Sequence, residues 1–322
     1  MNNLIHEARH LPMAEPVPVV SVAPVTLAVP TRAIDLELRV SAPVTGENLP
    51  IIVLSHGHGP SLYVSSLFGY GPLAHFYAAQ GFVVIQPTHL SAKLYALGAD
   101  HPEAPLFWRS RVGDMSRIVD ELGAIEAAVP WLTGRLDKSR IAAVGHSMGG
   151  QTVGMLLGAR LTDPQDADAV DVDLRDTRFK AGVLLAAPGN GGDSLSDFAA
   201  ANYSALNPDF SHMTTPSLVV AGDADESAYL TTRDASWHAD PYHRSPGARD
   251  LLMLTGGKHG LGGIAGYDAK ETDDEDPDRL ATTQRMTWAW LRTALYPEDP
   301  AWAHACAALT EKTAGLGRVE SK

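Results

Sequence analysis

Gly145-His146-Ser147-Met148-Gly149 is the segment of this chain best suited to chemistry. A serine between two nearby glycines can occupy a sharp strand-to-helix turn, with its hydroxyl held out for attack on a carbonyl carbon. The apolar run Ile141-Ala142-Ala143-Val144 before it reads as a buried strand, and the apolar stretch after it reads as a helix to about Leu161. A serine hydroxyl is a weak nucleophile at neutral pH. It needs a base beside it, and the base needs an acid to orient it. The chain has 13 histidines, so position has to decide among them. His259 follows the strand-like Asp250–Leu254 within Thr255-Gly256-Gly257-Lys258-His259-Gly260, where glycines let the backbone bring an imidazole over a sheet edge. His212, His238 and His243 are less well placed and read as surface or core polar residues, although His238 could line a pocket beside Trp237. For the acid, Asp223, Asp225 and Glu226 compete in the loop after the strand Ser217–Ala221.

The negative charge that develops on an attacked carbonyl oxygen needs backbone donors, each worth about 3 kcal/mol. The Met148 N–H, directly after the serine, is one candidate. The second is the His58 N–H, in the loop His56-Gly57-His58-Gly59-Pro60 that follows the apolar run Ile51–Leu54. Each of these parts stands at the C-terminal end of a strand, the edge at which open α/β sheets bind ligands.

The elements that must hold these loops alternate as strand, loop and helix, the pattern of a mainly parallel sheet covered on both faces. Ala33–Ser41 alternates like an early antiparallel strand, and Val17–Val29, broken by Pro18 and Pro24, reads as a pair of edge strands. Phe82–Ile85 and Ala181–Leu185 read as further strands. Helices are expected over Gly71–Gln80, over Ser110–Val129 with Ile118, Leu122 and Ile125 on one side, and over Asp278–Leu295 with Leu280, Met286, Trp290 and Leu291 buried. The expectation is one α/β domain over 1–322, with a core at about 20–295 and a tail from 297 to 322 that forms a short surface helix and a frayed end. The irregular stretch Thr88–Trp108 is a possible lid. Its Leu94, Tyr95, Phe107 and Trp108, with Trp237 and His146 from elsewhere, are candidate walls of a substrate pocket. Thr162–Thr177 and Glu271–Asp278 are acidic and read as solvated loops; the second lacks the ligand spacing of a calcium loop.

His56-Gly57-His58-Gly59, Gly145-His146-Ser147-Met148-Gly149-Gly150, Gly222-x-x-Asp225 and Lys258-His259-Gly260 together resemble the α/β-hydrolase superfamily, over roughly residues 20 to 295. The elbow is similar to that of the chlorophyllase, platelet-activating-factor acetylhydrolase and cutinase-like polyester hydrolase branches. The resemblance implies a mainly parallel eight-stranded sheet with helices on both faces and a small lid. It also implies hydrolysis of a carboxylic ester with neither cofactor nor metal. Asp225, at the fourth place of Gly-x-x-Asp, becomes the preferred acid, with Asp223 the runner-up for that role or else a residue that stabilises the loop. The chain departs from the cutinase-like branch because its one cysteine, Cys306, cannot form that branch's C-terminal disulfide. The same serine, histidine and acid could instead serve an acyltransferase, a lactonase or a cyclase. A ligand-binding protein on this fold is less favoured, because all four parts stand together.

Composition narrows the partners. Lys+Arg total 25 and Asp+Glu 38, a formal net charge of -13, which disfavours nucleic acid and anionic lipid and favours a neutral or weakly polar substrate; joined to the resemblance, this makes a small-molecule neutral ester the expected partner. The N-terminus lacks a basic stretch followed by an apolar run, and no segment is apolar enough to span a bilayer, so a cytoplasmic location is expected. Nothing in the sequence sets the oligomeric state.

Overall fold

The computed structural model describes residues 4–266 and 274–322. The chain runs through β1 (Val19–Leu27), β2 (Leu36–Pro43), β3 (Leu49–Ser55), α1 (Gly71–Ala79) and β4 (Val83–Pro87). Next come α2 (Trp108–Asp120), α3 (Leu122–Ala128), β5 (Leu136–His146) and α4 (Met148–Leu156). Short β6 (Arg160–Leu161) and β7 (Val172–Asp173) precede β8 (Phe179–Leu185), α5 (Asp197–Asn202) and β9 (Pro208–Asp209). The remainder is β10 (Ser217–Gly222), α6 (Asp240–Arg244), β11 (Ala248–Leu254), α7 (Pro277–Leu295), α8 (Ala301–Lys312) and β12 (Gly317–Ser321).

Nine strands form one sheet in the order β1-β2-β4-β3-β5-β8-β10-β11-β12, while β7-β6-β9 make a small separate sheet. From β4 to β11 every neighbouring pair is parallel. The outer pairs β1–β2, β2–β4 and β11–β12 are antiparallel. All residues of β3 and of β10 are buried, as expected for strands covered on both faces. Side chains alternate along β3: Ile51 and Val53 join a core with Met115, Ile118 and Ile125, while Ile52 and Leu54 join one with Tyr77, Met286 and Leu291. Helices α2, α3 and α4 therefore cover one face, and α1, α7 and α8 cover the other.

Four features differ from the sequence reading. The main sheet has nine strands rather than eight. The stretch around Pro24 is a single strand whose register shifts between Val22 and Val25, because proline has no N–H to give to the ladder. The expected helix Ser110–Val129 is interrupted at Glu121, although Ile118, Leu122 and Ile125 remain buried. The tail ends in β12 rather than a frayed end, pairing with β11 in the register Leu252↔Val319. Cys306 lies on α8, and burial pushes its thiol up to about 12, far from a reactive thiolate at neutral pH.

Strand β12 is pinned by side chains as well as by the ladder. Asp250 accepts 2.6 Å from Ser321 Oγ and 2.8 Å from Trp290 Nε1. The Lys322 ammonium donates to the Tyr242 and Ser245 carbonyls. Deleting residues 315–322 is expected to lower the unfolding free energy by more than about 4 kcal/mol, at roughly 1 kcal/mol for each net hydrogen bond lost from the ladder, Leu316, Ser321 and Lys322. A urea titration that leaves the midpoint unchanged would show that the strand contributes nothing. Among the described residues no helix is long and apolar enough to cross a membrane.

Candidate functional site

Strand β5 ends at His146 and α4 begins at Met148, so Ser147 alone makes the turn, at φ 55° and ψ -122°. A residue with a side chain is strained there by about 1–3 kcal/mol. The glycines on either side make the turn possible. A Cβ on Gly145 would lie 2.1 Å from the Gly149 carbonyl oxygen, and one on Gly149 would lie 2.2 Å from that of Ser55. The Ser147 N–H donates to Leu185 O at 2.9 Å, tying the turn to the neighbouring strand.

Ser147 and Met148 border a cleft of about 790 Å³, with His58, Gly59 and Pro60 on another side. The His58 and Met148 N–H groups donate to no other group among the described residues. Residues 90–93, 96–99 and 104–106 form one wall, and Tyr203, Leu206, Tyr229 and Leu230 form another. Among the described residues that line the cleft, Lys93 alone carries a fixed charge.

His259 sits in the loop after β11, and its Nδ1 lies 2.9 Å from Asp225 Oδ2. Asp225 is buried in the loop after β10. Burial alone would raise the pKa of its carboxyl. The hydrogen bond from His259 and the charges of the nearby histidines outweigh that and hold it below the usual carboxylate range. The two loops are joined directly, Ala224 N–H donating to Gly257 O at 3.0 Å. Asp223 does other work, accepting 2.6 Å from the Gly256 N–H. Asp274 holds the far side of the histidine loop. It accepts from the Lys258 and Gly262 N–H groups at 2.9 and 3.1 Å and pairs with Arg279. Of the acidic run, Asp276 caps α7, and Asp278 accepts from the His6 and Ala8 N–H groups. Residues 271–273 lie outside the described residues.

The pocket walls differ from the sequence reading. Tyr95, Phe107, Trp108, Trp237 and His146 do not line the cleft, nor does Leu94. The buried Phe107 stacks at 4.6 Å on His101, and buried Trp108 lies beneath the Arg109 guanidinium. Trp237 is fully buried and donates to Asn190 O at 2.8 Å. Tyr95 reaches toward Glu37. These aromatics fasten their segments to the core, leaving small aliphatic residues such as Leu90, Ala92, Leu97 and Leu106 to face the cleft.

Sequence reasoning missed the polar cluster beneath the His56–Pro60 loop. Arg111 is fully buried on α2 and donates to the His56 carbonyl, to Ser91 Oγ at 2.7 Å and to Thr152 Oγ1 at 3.1 Å. Burial, then the charge of Arg111, keeps His56 and His89 neutral, their pKa values well below the usual 6.5. His56 Nδ1–H therefore donates to Gly57 O at 2.6 Å, and its Nε2 accepts from the His89 N–H at 3.1 Å. A signal was present: Arg111 occupies the helical stripe continued by Met115, Ile118 and Leu122, a place for an apolar residue. Replacing Arg111 with Met is expected to cost about 3–5 kcal/mol, since it strands buried partners. Guanidinium melts check this, and a loss below about 1 kcal/mol would contradict it.

Asp225, His238 and His259 are the one group of potential metal ligands found among the described residues, each offering an atom within 4.8 Å of the others. Both histidines approach the same oxygen, Asp225 Oδ2, at 2.9 and 3.3 Å. Only the His259 contact is a hydrogen bond: His238 Nδ1 lies 2.8 Å from the Ala187 carbonyl, which can only accept, and burial lowers the pKa of this ring, so its Nε2 has no proton to give Asp225. Zinc, by contrast, draws separate ligand atoms to about 2.0–2.2 Å around itself. No protein-family model and no curated protein sequence matches the chain.

Proposed function

We propose that the protein is a serine hydrolase of the α/β-hydrolase type that cleaves a carboxylic ester of a small or medium neutral substrate through an acyl-enzyme. The observation that carries this reading is Ser147, strained at the mouth of the cleft, together with an imidazole held by a buried carboxylate. Asp225 fixes the tautomer of His259 by accepting from Nδ1–H, so Nε2 is the ring atom that exchanges protons. His259 takes the proton of Ser147 as Oγ bonds to the ester carbonyl carbon. The oxyanion accepts from the His58 and Met148 N–H groups. As the carbon–oxygen bond to the alcohol breaks, His259 protonates the departing oxygen. Water then repeats the sequence on the acyl-enzyme, releasing the acid and restoring Ser147. The wall contributed by residues 90–106 acts as the lid, and the largely aliphatic lining with one cation suits an uncharged acyl group.

The experiment is hydrolysis of p-nitrophenyl esters of increasing acyl length, with fluorophosphonate labelling mapped by mass spectrometry. Turnover together with a label on Ser147 is expected. An unlabelled Ser147 and no turnover on any ester would remove the proposal.

A further inference from the structure

Two buried side chains outside the proposed acid–base pair connect the site's loops. Tyr70 precedes α1 in the left-handed region, φ 60°, and is 1% exposed. Its Oη lies 3.0 Å from the Gly57 N and 2.8 Å from His146 Nδ1. His146 Nε2 lies 2.7 Å from the His259 carbonyl oxygen. The donor at each contact is fixed by chemistry. Gly57 N–H can only donate, and the His259 carbonyl can only accept. His146 therefore carries its proton on Nε2. Burial, then the neighbouring His259, lowers its pKa to about 3, so the ring is neutral and Nδ1 must accept from the Tyr70 hydroxyl. One directed chain results: Gly57 N–H to Tyr70, Tyr70 O–H to His146, and His146 N–H to His259.

We propose that Tyr70 and His146 are positioning residues, a hydrogen-bonded strut that sets His259 and the His58 N–H at fixed places relative to Ser147. The inference rests on the hydrolase reading above. The strut touches the chain next to three parts of that machinery: Gly57 adjoins His58, His146 adjoins Ser147, and the far end grips the backbone of His259. A chain that only satisfied buried polar groups would have no reason to end on these loops; the buried pair Tyr77–Thr287, at 2.7 Å, joins α1 to α7 and reaches none of them. The backbone is arranged to admit the strut. A Cβ on Gly57 would come within 2.9 Å of Tyr70 Oη, so any larger residue there would displace it. The Tyr70 N–H also donates to Ala265 O at 3.2 Å, a second tie to the segment after His259.

Tyr70→Phe keeps the ring and removes the link. Its kcat on p-nitrophenyl butyrate is expected to fall about ten- to a hundredfold, the scale of a small misplacement of reacting groups, with KM within about threefold. His146→Gln keeps a donor for the His259 carbonyl and loses the acceptor for Tyr70, so it should fall similarly. The double variant should be no slower than the worse single variant, because both break one chain. A Tyr70→Phe kcat within twofold of wild type would overturn the strut, and so would losses that multiply in the double variant. Nitrogen-15 NMR of the wild type gives a readout independent of turnover: His146 should show its proton on Nε2, untitrated from pH 5 to 8. The Nδ1–H tautomer, or titration in that range, would also overturn it. If wild type hydrolyses no ester and Ser147 takes no label, the hydrolase reading fails separately, and the tautomer alone decides the strut.

Discussion

On the proposed reading, replacing Ser147 with alanine is expected to lower kcat for a p-nitrophenyl ester by about 10⁴- to 10⁶-fold, the scale of losing the nucleophile of a serine hydrolase. The fold should survive the change. Ser147 is held by its backbone N–H to Leu185 O, a bond that alanine keeps, and its side chain borders the cleft rather than filling the core. The residual rate should come from the backbone donors and from substrate binding, which remain in place. The check is a pre-steady-state measurement in which the wild type shows a burst of p-nitrophenol and the variant shows none. A variant within tenfold of wild type would move the nucleophile elsewhere.

Asp225→Asn is expected to cost about 10⁴-fold in kcat, because the amide offers Nδ1 a donor where it needs an acceptor and so favours the wrong imidazole tautomer. Asp223→Asn should stay within about threefold, equivalent to less than 1 kcal/mol. Its side chain binds the Gly256 N–H through Oδ1, and an asparagine oxygen can accept the same bond. Steady-state kinetics of the two variants side by side provides the measurement. Equal or reversed losses would reassign the acid. The depressed pKa of Asp225 adds a pH expectation. A carboxyl held below its unfolded value contributes stability above that unfolded value and loses it only as pH falls through the lowered one. The support Asp225 gives His259 should therefore persist through mildly acidic conditions.

Much of the site's layout was legible because each piece lies in a loop directly after an apolar strand. Ser147 carries its own signal in the glycines around it, and the loops bearing His259 and Asp225 follow β11 and β10. Asp223 and Asp225 could not be separated by pattern alone, since both lie in the same loop and only their direction differs. The pocket walls were not legible. An aromatic in an irregular segment can face a cleft or the core, and here Phe107, Trp108 and Trp237 face the core. The strut was invisible for a different reason: its contacts join residues 76 and 113 positions apart, and no local period relates them. Strand β12 escaped because its few alternating residues are specified by the edge of β11 rather than by their own pattern.

The backbone at Ser147 has a consequence for anyone who tries to make this protein hardier. Its dihedral angles belong to a region that glycine enters freely and serine enters at a cost. Heat resistance and the hydroxyl therefore pull in opposite directions at this one position. A library sorted only on survival after heating will tend to collect chains that have exchanged the serine for glycine, and such a library has to be sorted on turnover as well.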